Sequence, residues 1–374
     1  MDFDLDGDLE AARELANEIF TDLATLDRVV EAEKDGGGFH PTLWKALADA
    51  GLLGIALPEQ AGGAGLGMLG LVTVLEQQGR RVAPVPLWPV AIAALTIVRF
   101  GTPDQLSAWL PGILDGSAPV TSALEESTGG AGLAASRTPA GLSLTGDLLS
   151  VPAAREAAAL LVPARLDDGT TVMAIVPTDS AGLTTTELGA TSRESRASIR
   201  CDGVTVADTN LLPSDGAEVL SWSRLRARVA LAALQTGVCE QALQVTAQYT
   251  SQREQFGRPL STNQAVAVRA ADAYLDTEAI RLTTRRAAWL LDTGQEDAAE
   301  TAALVAKWWA SRAGLRAVHA TQHLHGGIGA DIDYPVHRYF LWGRQIAFSL
   351  GAAGATAAAL GDRLAHAAPI GAPS

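Results

Sequence analysis

Cysteine and positive charge are both scarce in this sequence. Its 374 residues include only two cysteines, Cys201 and Cys239, and these form no CxxC pattern. A disulfide framework and a Cys/His zinc site are therefore not supported, and we expect two buried thiols. Lys and Arg together number 28 against 42 Asp and Glu, which gives a formal net charge of −14. This balance disfavours nucleic acid and anionic membranes as partners, because both bind basic protein surfaces.

Long apolar runs and a targeting segment are lacking as well. No apolar run reaches the roughly 18 residues that a membrane span needs, although the mean hydropathy is +0.15. The first eight residues are acidic, whereas a secretory signal begins basic and becomes apolar. We therefore predict a cytoplasmic protein without membrane insertion. The length and the 48% hydrophobic content are ample for two or three domains with large cores.

The hydrophobic pattern changes twice along the chain and predicts three domains. Residues 1–118 show apolar positions at helical spacing. Residues 119–213 are rich in Thr, Ser, Gly and Val, with short alternating runs that turn signals separate, which is typical of an antiparallel β domain. Helical periodicity returns in residues 214–374. Helices in the first domain are predicted over 41–51, 67–83 and 103–115.

Four long helices are predicted in the C-terminal part. They cover 217–252, 262–293, 296–324 and 333–365. Short loops between long amphipathic helices indicate a bundle. The predicted fold class is therefore α+β, with an N-terminal helical domain, a middle antiparallel β domain and a C-terminal four-helix bundle.

Three stretches in order resemble motifs of the acyl-CoA dehydrogenase family. They are Ala50–Gly65, Arg253–Gln264, and His325–Gly329 followed by Tyr334–Arg338. Each is weak alone, but all three at family spacing are specific, and the resemblance covers essentially the whole chain. It implies the fold named above and a flavoprotein that removes the α and β hydrogens of an acyl-CoA. In such enzymes a carboxylate takes the α proton, FAD takes the β hydride, and each FAD of a tetramer lies between two subunits.

The resemblance implies a set of residues that reach the FAD held by a neighbouring subunit. They are Arg253, Gln255, Phe256, Gln264, His323, Gly326 and Gly327. An arginine offers a forked pair of donors to a pyrophosphate, and glycines let backbone amides approach a phosphate closely. His323 stands where many family members have Gln.

Other positions depart from the family and remove its catalytic base. Counting from Gly327 places the usual Glu at Leu350, and an alternative base position on the preceding long helix falls at Ala227. Neither side chain accepts a proton, so we assign no catalytic residue in this chain. In the middle domain, Leu148 and Pro152 replace the Lys and Thr of a flavin-covering segment. No metal ligand is assigned.

The chain keeps the residues that reach a neighbour's FAD but lacks the base and the Lys and Thr of the flavin-covering segment. This difference predicts a heteromeric enzyme in which a homologous acyl-CoA dehydrogenase chain supplies the Glu and the flavin-ring site. The chain is similar to the base-lacking subunit of actinobacterial heterotetrameric (α2β2) sterol side-chain acyl-CoA dehydrogenases. The likeness implies FAD as cofactor and a steroid side-chain CoA thioester as the acyl-CoA substrate. It further implies electron-transfer flavoprotein as acceptor.

Two alternatives stay open. A self-sufficient homomeric flavoenzyme needs a relocated base, and Glu125 and Glu126 are the first candidates because their segment would face the flavin. A non-catalytic scaffold would only assemble a partner. Retention of Arg253 and the glycine pair argues against a pure scaffold, which has no need of phosphate donors.

Overall fold

The computed structural model describes residues 5–34, 37–125 and 132–366. The chain divides into two compact units. The bundle unit comprises Met1–Glu14, Val72–Ala83 and Arg228–Ser374, and the sheet unit comprises Leu15–Leu71 and Pro84–Ala227. The boundaries between the units fall inside three helices, so the division into domains 1–118, 119–213 and 214–374 stays a prediction.

The helices and strands agree with the predicted order of α, then β, then α. The α-helices are α1 (Gly7–Leu23), α2 (Leu26–Lys34), α3 (Pro41–Asp49), α4 (Gly67–Arg81), α5 (Leu87–Phe100), α6 (Pro103–Leu114), α7 (Gly216–Gln252), α8 (Gln264–Asp292), α9 (Glu296–Leu324), α10 (Val336–Phe348) and α11 (Ala353–Ala365). The strands are β1 (Val120–Ser122), β2 (Gly132–Thr138), β3 (Gly141–Pro152), β4 (Ala159–Leu166), β5 (Thr171–Pro177), β6 (Leu183–Leu188), β7 (Arg196–Val206), β8 (Glu254–Gln255) and β9 (Arg258–Pro259). None of the helices in these described ranges is long and apolar enough to cross a membrane.

Local signals start the helices of the sheet unit. Thr102 and Gln105 form a capping box at the start of α6, and the His40 ring accepts a hydrogen bond from the Leu43 amide at the start of α3. The pattern misses α5, because this helix is apolar on every side and buried along nearly its whole length. A helix without a polar face shows no amphipathic periodicity.

The sheet is mixed, which corrects the prediction of an antiparallel β domain. Most neighbours are antiparallel, but β4 pairs in parallel with β1 and, further along the same strand, with β2. On its other side β4 pairs with β5 in the antiparallel sense. The β2–β3 hairpin lies between β1 and β4 in sequence. After this hairpin the chain comes back beside β1, and β4 runs in the same direction as β1. This long-range pairing has no signature in the alternating pattern.

The bundle unit confirms three of the predicted helices and divides the fourth. The structure has α7, α8 and α9 within two residues of the predicted bounds, whereas the segment predicted as one helix over 333–365 forms α10 and α11. Leu350 and Gly351 interrupt it with left-handed backbone, at φ 52° and 105°. The C-terminal part is therefore a bundle of five helices rather than four.

A network of ion pairs fixes α8 within the bundle unit. Glu76, buried on α4, lies 3.6 Å from Arg281 and 3.4 Å from Arg285. Arg281 also pairs with Glu240 on α7, at 3.4 Å. Close packing accompanies these pairs, because a Cβ at Gly237 of α7 would overlap the Glu76 carbonyl. Helix α8 therefore has a defined position on α4 and α7 through charges as well as apolar contacts.

Candidate functional site

Leu350, at the position of the family's usual base, lies in the turn between α10 and α11. Its side chain is buried, at 6% exposure, and its backbone is left-handed. A left-handed backbone is uncommon for a side chain such as Leu and persists where surrounding contacts fix it. The turn therefore has a defined conformation and presents an apolar group.

Lys307 of α9 supplies contacts that fix this turn. Its Nζ is fully buried and donates to the Gly351 carbonyl at 2.9 Å, to the Ile346 carbonyl at 3.3 Å and to the Ser311 hydroxyl at 2.5 Å. Carbonyls in the last turn of a helix lack a donor within that helix, so the ammonium supplies donors to buried carbonyls there, in addition to the Thr356 hydroxyl that donates to the Gly351 carbonyl at 3.3 Å. The alternative base position, Ala227, is fully buried in α7 and also offers no proton acceptor.

The residues predicted to face a neighbouring FAD lie on the surface of the bundle unit. Arg253 follows α7, and its guanidinium makes no ion pair or hydrogen bond with the described residues. The hairpin of β8 and β9 turns at Phe256 and Gly257, at φ 54° and 75°, which leaves the Phe256 side chain fully exposed. Gln255 in this hairpin is exposed too. The ring is therefore accessible to a ligand or a second chain.

The glycine pair forms part of a short 3-10 turn after α9. Gly326 has φ 64°, and a Cβ at Gly326 or Gly327 would meet no atom within 4 Å. The loop is held from behind, because Gln322 donates from its side chain to the Gly329 carbonyl at 2.9 Å. The backbone of the pair therefore faces open space and can approach a ligand closely.

The remaining predicted residues adjoin the same region. Gln264 is the first residue of α8 and lines an open groove of about 700 Å³ together with His319 of α9. His323 lies one turn after His319 and is exposed. The structure thus brings one end of α7, α8 and α9 to a common surface that carries Arg253, the amide of Gln264 and the glycine pair.

Residues 146–152 of the sheet unit are predicted to correspond to the family's flavin-covering segment, and they make contacts with side chains of the same unit. The buried Arg196 guanidinium donates to the Ser150 carbonyl and hydroxyl, at 2.9 and 3.0 Å, and lies 4.0 Å from the Glu125 carboxylate. A cavity of about 20 Å³, which is the room of a single water, lies between Glu125 and residues 148–152. Glu125, a candidate relocated base, is thus engaged by Arg196, and Glu126 lies outside the described residues.

Comparison with known proteins identifies the family. The Acyl-CoA dehydrogenase N-terminal domain profile matches residues 8–117, and the Acyl-CoA dehydrogenase C-terminal domain profile matches residues 214–365. The chain belongs to the acyl-CoA dehydrogenase family.

Several relatives resemble this acyl-CoA dehydrogenase over nearly its full length. Acyl-CoA dehydrogenase FadE27 of Mycobacterium tuberculosis is 36% identical over 367 residues, which cover 96% of this chain and 98% of that one. A solved variant of the Tcur3481–Tcur3483 steroid acyl-CoA dehydrogenase is 47% identical with a TM-score of 0.89, covering 96% and 98% of the two chains. The ChsE4–ChsE5 complex from Mycobacterium tuberculosis is 36% identical with a TM-score of 0.93, covering 98% and 100%.

Structural neighbours also confirm the fold of this acyl-CoA dehydrogenase and include flavin-bound proteins. PigA solved with FAD and proline has a TM-score of 0.88 at 21% identity, over 98% of this chain and 99% of that one. A likeness at this identity concerns the fold alone. The predicted combination of an N-terminal helical domain, a β sheet and C-terminal helices is thereby confirmed, apart from the two corrections above.

Sequence reasoning missed two polar groups in this acyl-CoA dehydrogenase. Lys307 was detectable, since it occupies the same helical face as the buried Ala303 and Ala310. Arg196 gave no local signal, because its partner Ser150 lies on a different strand.

The two thiols are buried as predicted, and burial raises the pKa of Cys201 to about 11 and of Cys239 to about 12. Within the described ranges no group of three His, Cys, Asp or Glu residues is arranged to hold a metal ion.

Proposed function

We propose that this chain is the base-lacking subunit of a heteromeric, FAD-dependent acyl-CoA dehydrogenase that forms an α,β-unsaturated acyl-CoA. A homologous partner chain supplies the catalytic Glu and the flavin-ring site. The observation that carries the proposal is the turn at Leu350. Its backbone is fixed by Lys307, yet the side chain at the base position is a buried leucine. A side chain without a proton acceptor cannot act as a general base at any pH.

This chain contributes a surface that receives the partner's cofactor. Arg253 directs a guanidinium without a partner among the described residues toward solvent, and such a group suits the forked recognition of a pyrophosphate. The amides of Gly326 and Gly327 face open space, and Phe256 offers an exposed ring. FAD, when bound, accepts the hydride from the β carbon of the acyl-CoA.

The sheet unit of this chain is not equipped to hold a second flavin ring. Arg196 engages Ser150 in the flavin-covering segment, and the hydrophobic Leu148 and Pro152 stand where the family has Lys and Thr. These features favour a division of labour in which the partner's β domain holds the ring and this chain's bundle completes the nucleotide site.

The proposed substrate is a steroid side-chain CoA thioester. Support comes from the 47% identity to a protein described as a steroid acyl-CoA dehydrogenase, together with the match to a complex of two named chains. Electron-transfer flavoprotein is the proposed acceptor, and the cytoplasm the proposed location.

Turnover of separated and recombined chains tests this function. Purified alone and supplied with FAD, this chain should show background oxidation of any acyl-CoA, since general-base catalysis contributes on the order of 10²–10⁴ in rate. Addition of the homologous Glu-bearing chain should restore activity, and Glu→Gln at that partner's base should abolish it.

The variants Glu125→Gln and Glu126→Gln provide the matched control. In the complex both should turn over at about the wild-type rate, because substitutions away from the reacting groups have small effects. Steady turnover by this chain alone, lost in either variant, would instead establish a homomeric enzyme with a relocated base.

A further inference from the structure

Three aromatic rings lie next to the glycine pair of the bundle unit. The Tyr249 ring stacks on the His325 imidazole, with centroids 4.6 Å apart and planes inclined by 23°. The Tyr334 ring lies 5.3 Å from the His325 centroid and 6.3 Å from that of Tyr249. We call these three residues the ring cluster.

The ring cluster joins three separate segments of the chain. Tyr249 belongs to the last turn of α7, His325 ends α9, and Tyr334 precedes α10. The His325 Nδ1 lies 2.8 Å from the Thr321 carbonyl, which fixes the ring on α9. Its Nε2 is buried and has no hydrogen-bond partner in the described part of the chain. Among the described residues the imidazole thus has one hydrogen bond, through Nδ1, and ring contacts with both tyrosines.

Two of the three segments in the ring cluster lead directly to a proposed cofactor contact. The amide of Arg253 donates to the Tyr249 carbonyl at 2.8 Å, so Arg253 leaves the last turn of α7 from a fixed point. Gly326 and Gly327 follow His325 without any intervening residue. The stack between Tyr249 and His325 thus sets the separation between the Arg253 backbone and the amides of the glycine pair.

We propose that the ring cluster positions Arg253 and the Gly326–Gly327 loop relative to each other so that both reach one cofactor pyrophosphate. The inference rests on the proposed function and deepens it. Tyr249, His325 and Tyr334 act through their neighbours and are positioning residues rather than cofactor contacts.

The physical reason is preorganisation. When two hydrogen-bond donors are already held at a fixed separation, they bind a pyrophosphate without the entropic cost of ordering a loop. When the donors lie on segments that move independently, this ordering cost lowers the affinity. His325 is 2% exposed, so its position is determined by packing. Burial also lowers the pKa of His325, which keeps the stacked ring uncharged at neutral pH.

Binding of FAD to the complex with the Glu-bearing partner tests the positioning role. Tyr249→Leu should raise the Kd for FAD about tenfold, the loss expected for one aromatic pair. Tyr249→Phe keeps the ring and should stay within about twofold of wild type. At saturating FAD, kcat should be the same in all three proteins, because the ring cluster does not touch the reacting atoms. Tyr334→Leu, at the partly exposed edge of the cluster, gives a second measurement in which α7 itself carries no substitution.

Trp308→Leu is the matched control. It removes another aromatic pair of the same unit, the edge contact of Trp308 with Trp309 at 5.2 Å, which lies about 25 Å along α9 from His325, and it should leave the Kd for FAD unchanged. An unchanged Kd in both Tyr249→Leu and Tyr334→Leu, or a lower kcat at saturating FAD with an unchanged Kd, would overturn the positioning role.

Arg253→Ala separates this inference from the proposed function. If Arg253→Ala weakens FAD binding and the ring-cluster variants do not, only the positioning role is wrong. If Arg253→Ala also binds FAD as tightly as wild type, the proposed cofactor surface itself is wrong.

Discussion

At the scale of single residues, the surroundings of Glu194 show how packing changes the pKa of a carboxyl group. Glu194 borders a small cavity of the sheet unit that Gly38 and Trp88 also line. Burial raises the pKa of Glu194, and the positive charge of Arg196 offsets part of that rise. The native state therefore holds a proton on Glu194 more tightly than the unfolded chain does.

Glu194→Gln should change how stability depends on pH. With a native pKa above the ordinary value of 4.5, stability falls as pH rises from that value through the native one. The glutamine variant lacks this titration, so its Tm minus the wild-type Tm should become more positive between about pH 4.5 and pH 7.5. Thermal unfolding at several pH values measures the difference.

Glu31→Gln serves as the control for this prediction, since Glu31 lies on the exposed side of α2. Its Tm difference should be flat over the same range. A flat difference for Glu194→Gln would mean that burial does not perturb the Glu194 carboxyl.

At the scale of elements, the division of one amphipathic segment into α10 and α11 depends on a third helix. Lys307 of α9 donates to carbonyls of residues 346, 347 and 351. These groups mark the end of α10 and the following turn, so the ammonium adds donors from another helix to the local ones that Ser349 and Thr356 supply. The same contacts hold Leu350 in its left-handed conformation.

Lys307→Met should destabilise this turn. The variant keeps the length of the side chain but leaves buried carbonyls without a donor. Relief of the buried charge offsets part of that loss, so we expect a net loss of about 2 kcal/mol in the free energy of unfolding. Urea unfolding measures the loss, and hydrogen exchange should locate it at residues 349–352.

Lys45→Met tests whether any lysine has this effect. Lys45 is exposed and pairs with the exposed Asp49 one turn away, so the variant should change stability by less than about 0.5 kcal/mol. If Lys307→Met proved as stable as wild type, the buried contacts would not fix the turn.

At the scale of the whole molecule, large apolar side chains are exposed in the bundle unit. Phe256 is 101% exposed, Ile332 67% and Leu275 65%. Side chains of this size are seldom left uncovered together on a monomer. Phe256 follows Arg253 by three residues and Ile332 follows Gly327 by five, so these two side chains adjoin the proposed cofactor surface, where we propose a subunit interface.

The proposed complex should contain two FAD per four chains. In the proposed complex, a complete FAD site forms only where the partner's β domain meets this chain's bundle. In this chain's own flavin-covering segment, Arg196 is hydrogen-bonded to Ser150. Flavin absorbance against protein concentration, on a complex whose mass is known, measures the ratio. Four FAD per four chains would contradict the division of labour.

The sequence by itself determined the features that depend on spacing within one segment. The periodic apolar positions of α7, α8 and α9 predicted the bounds of these helices closely, because the buried residues of an amphipathic helix recur three and four positions apart in the sequence. The absence of a carboxylate at Leu350 and Ala227 needs only the residue types, whereas the correspondence of these positions to the family's base stays a prediction. The buried thiols followed from the absence of any paired or metal-binding cysteine pattern.

Only the tertiary structure decided the features that join distant segments. The break between α10 and α11 at Leu350 depends on Lys307 of α9. The parallel pairing of β1 and β4 depends on a return of the chain after a hairpin. The hydrogen bonds of Ser150 depend on Arg196 of another strand. Helix α5 escaped prediction because burial on all sides leaves no polar face to mark its period. In each case the residues that stabilise the conformation are distant in sequence from the segment that adopts it. The pattern of residues within that segment therefore does not predict the conformation.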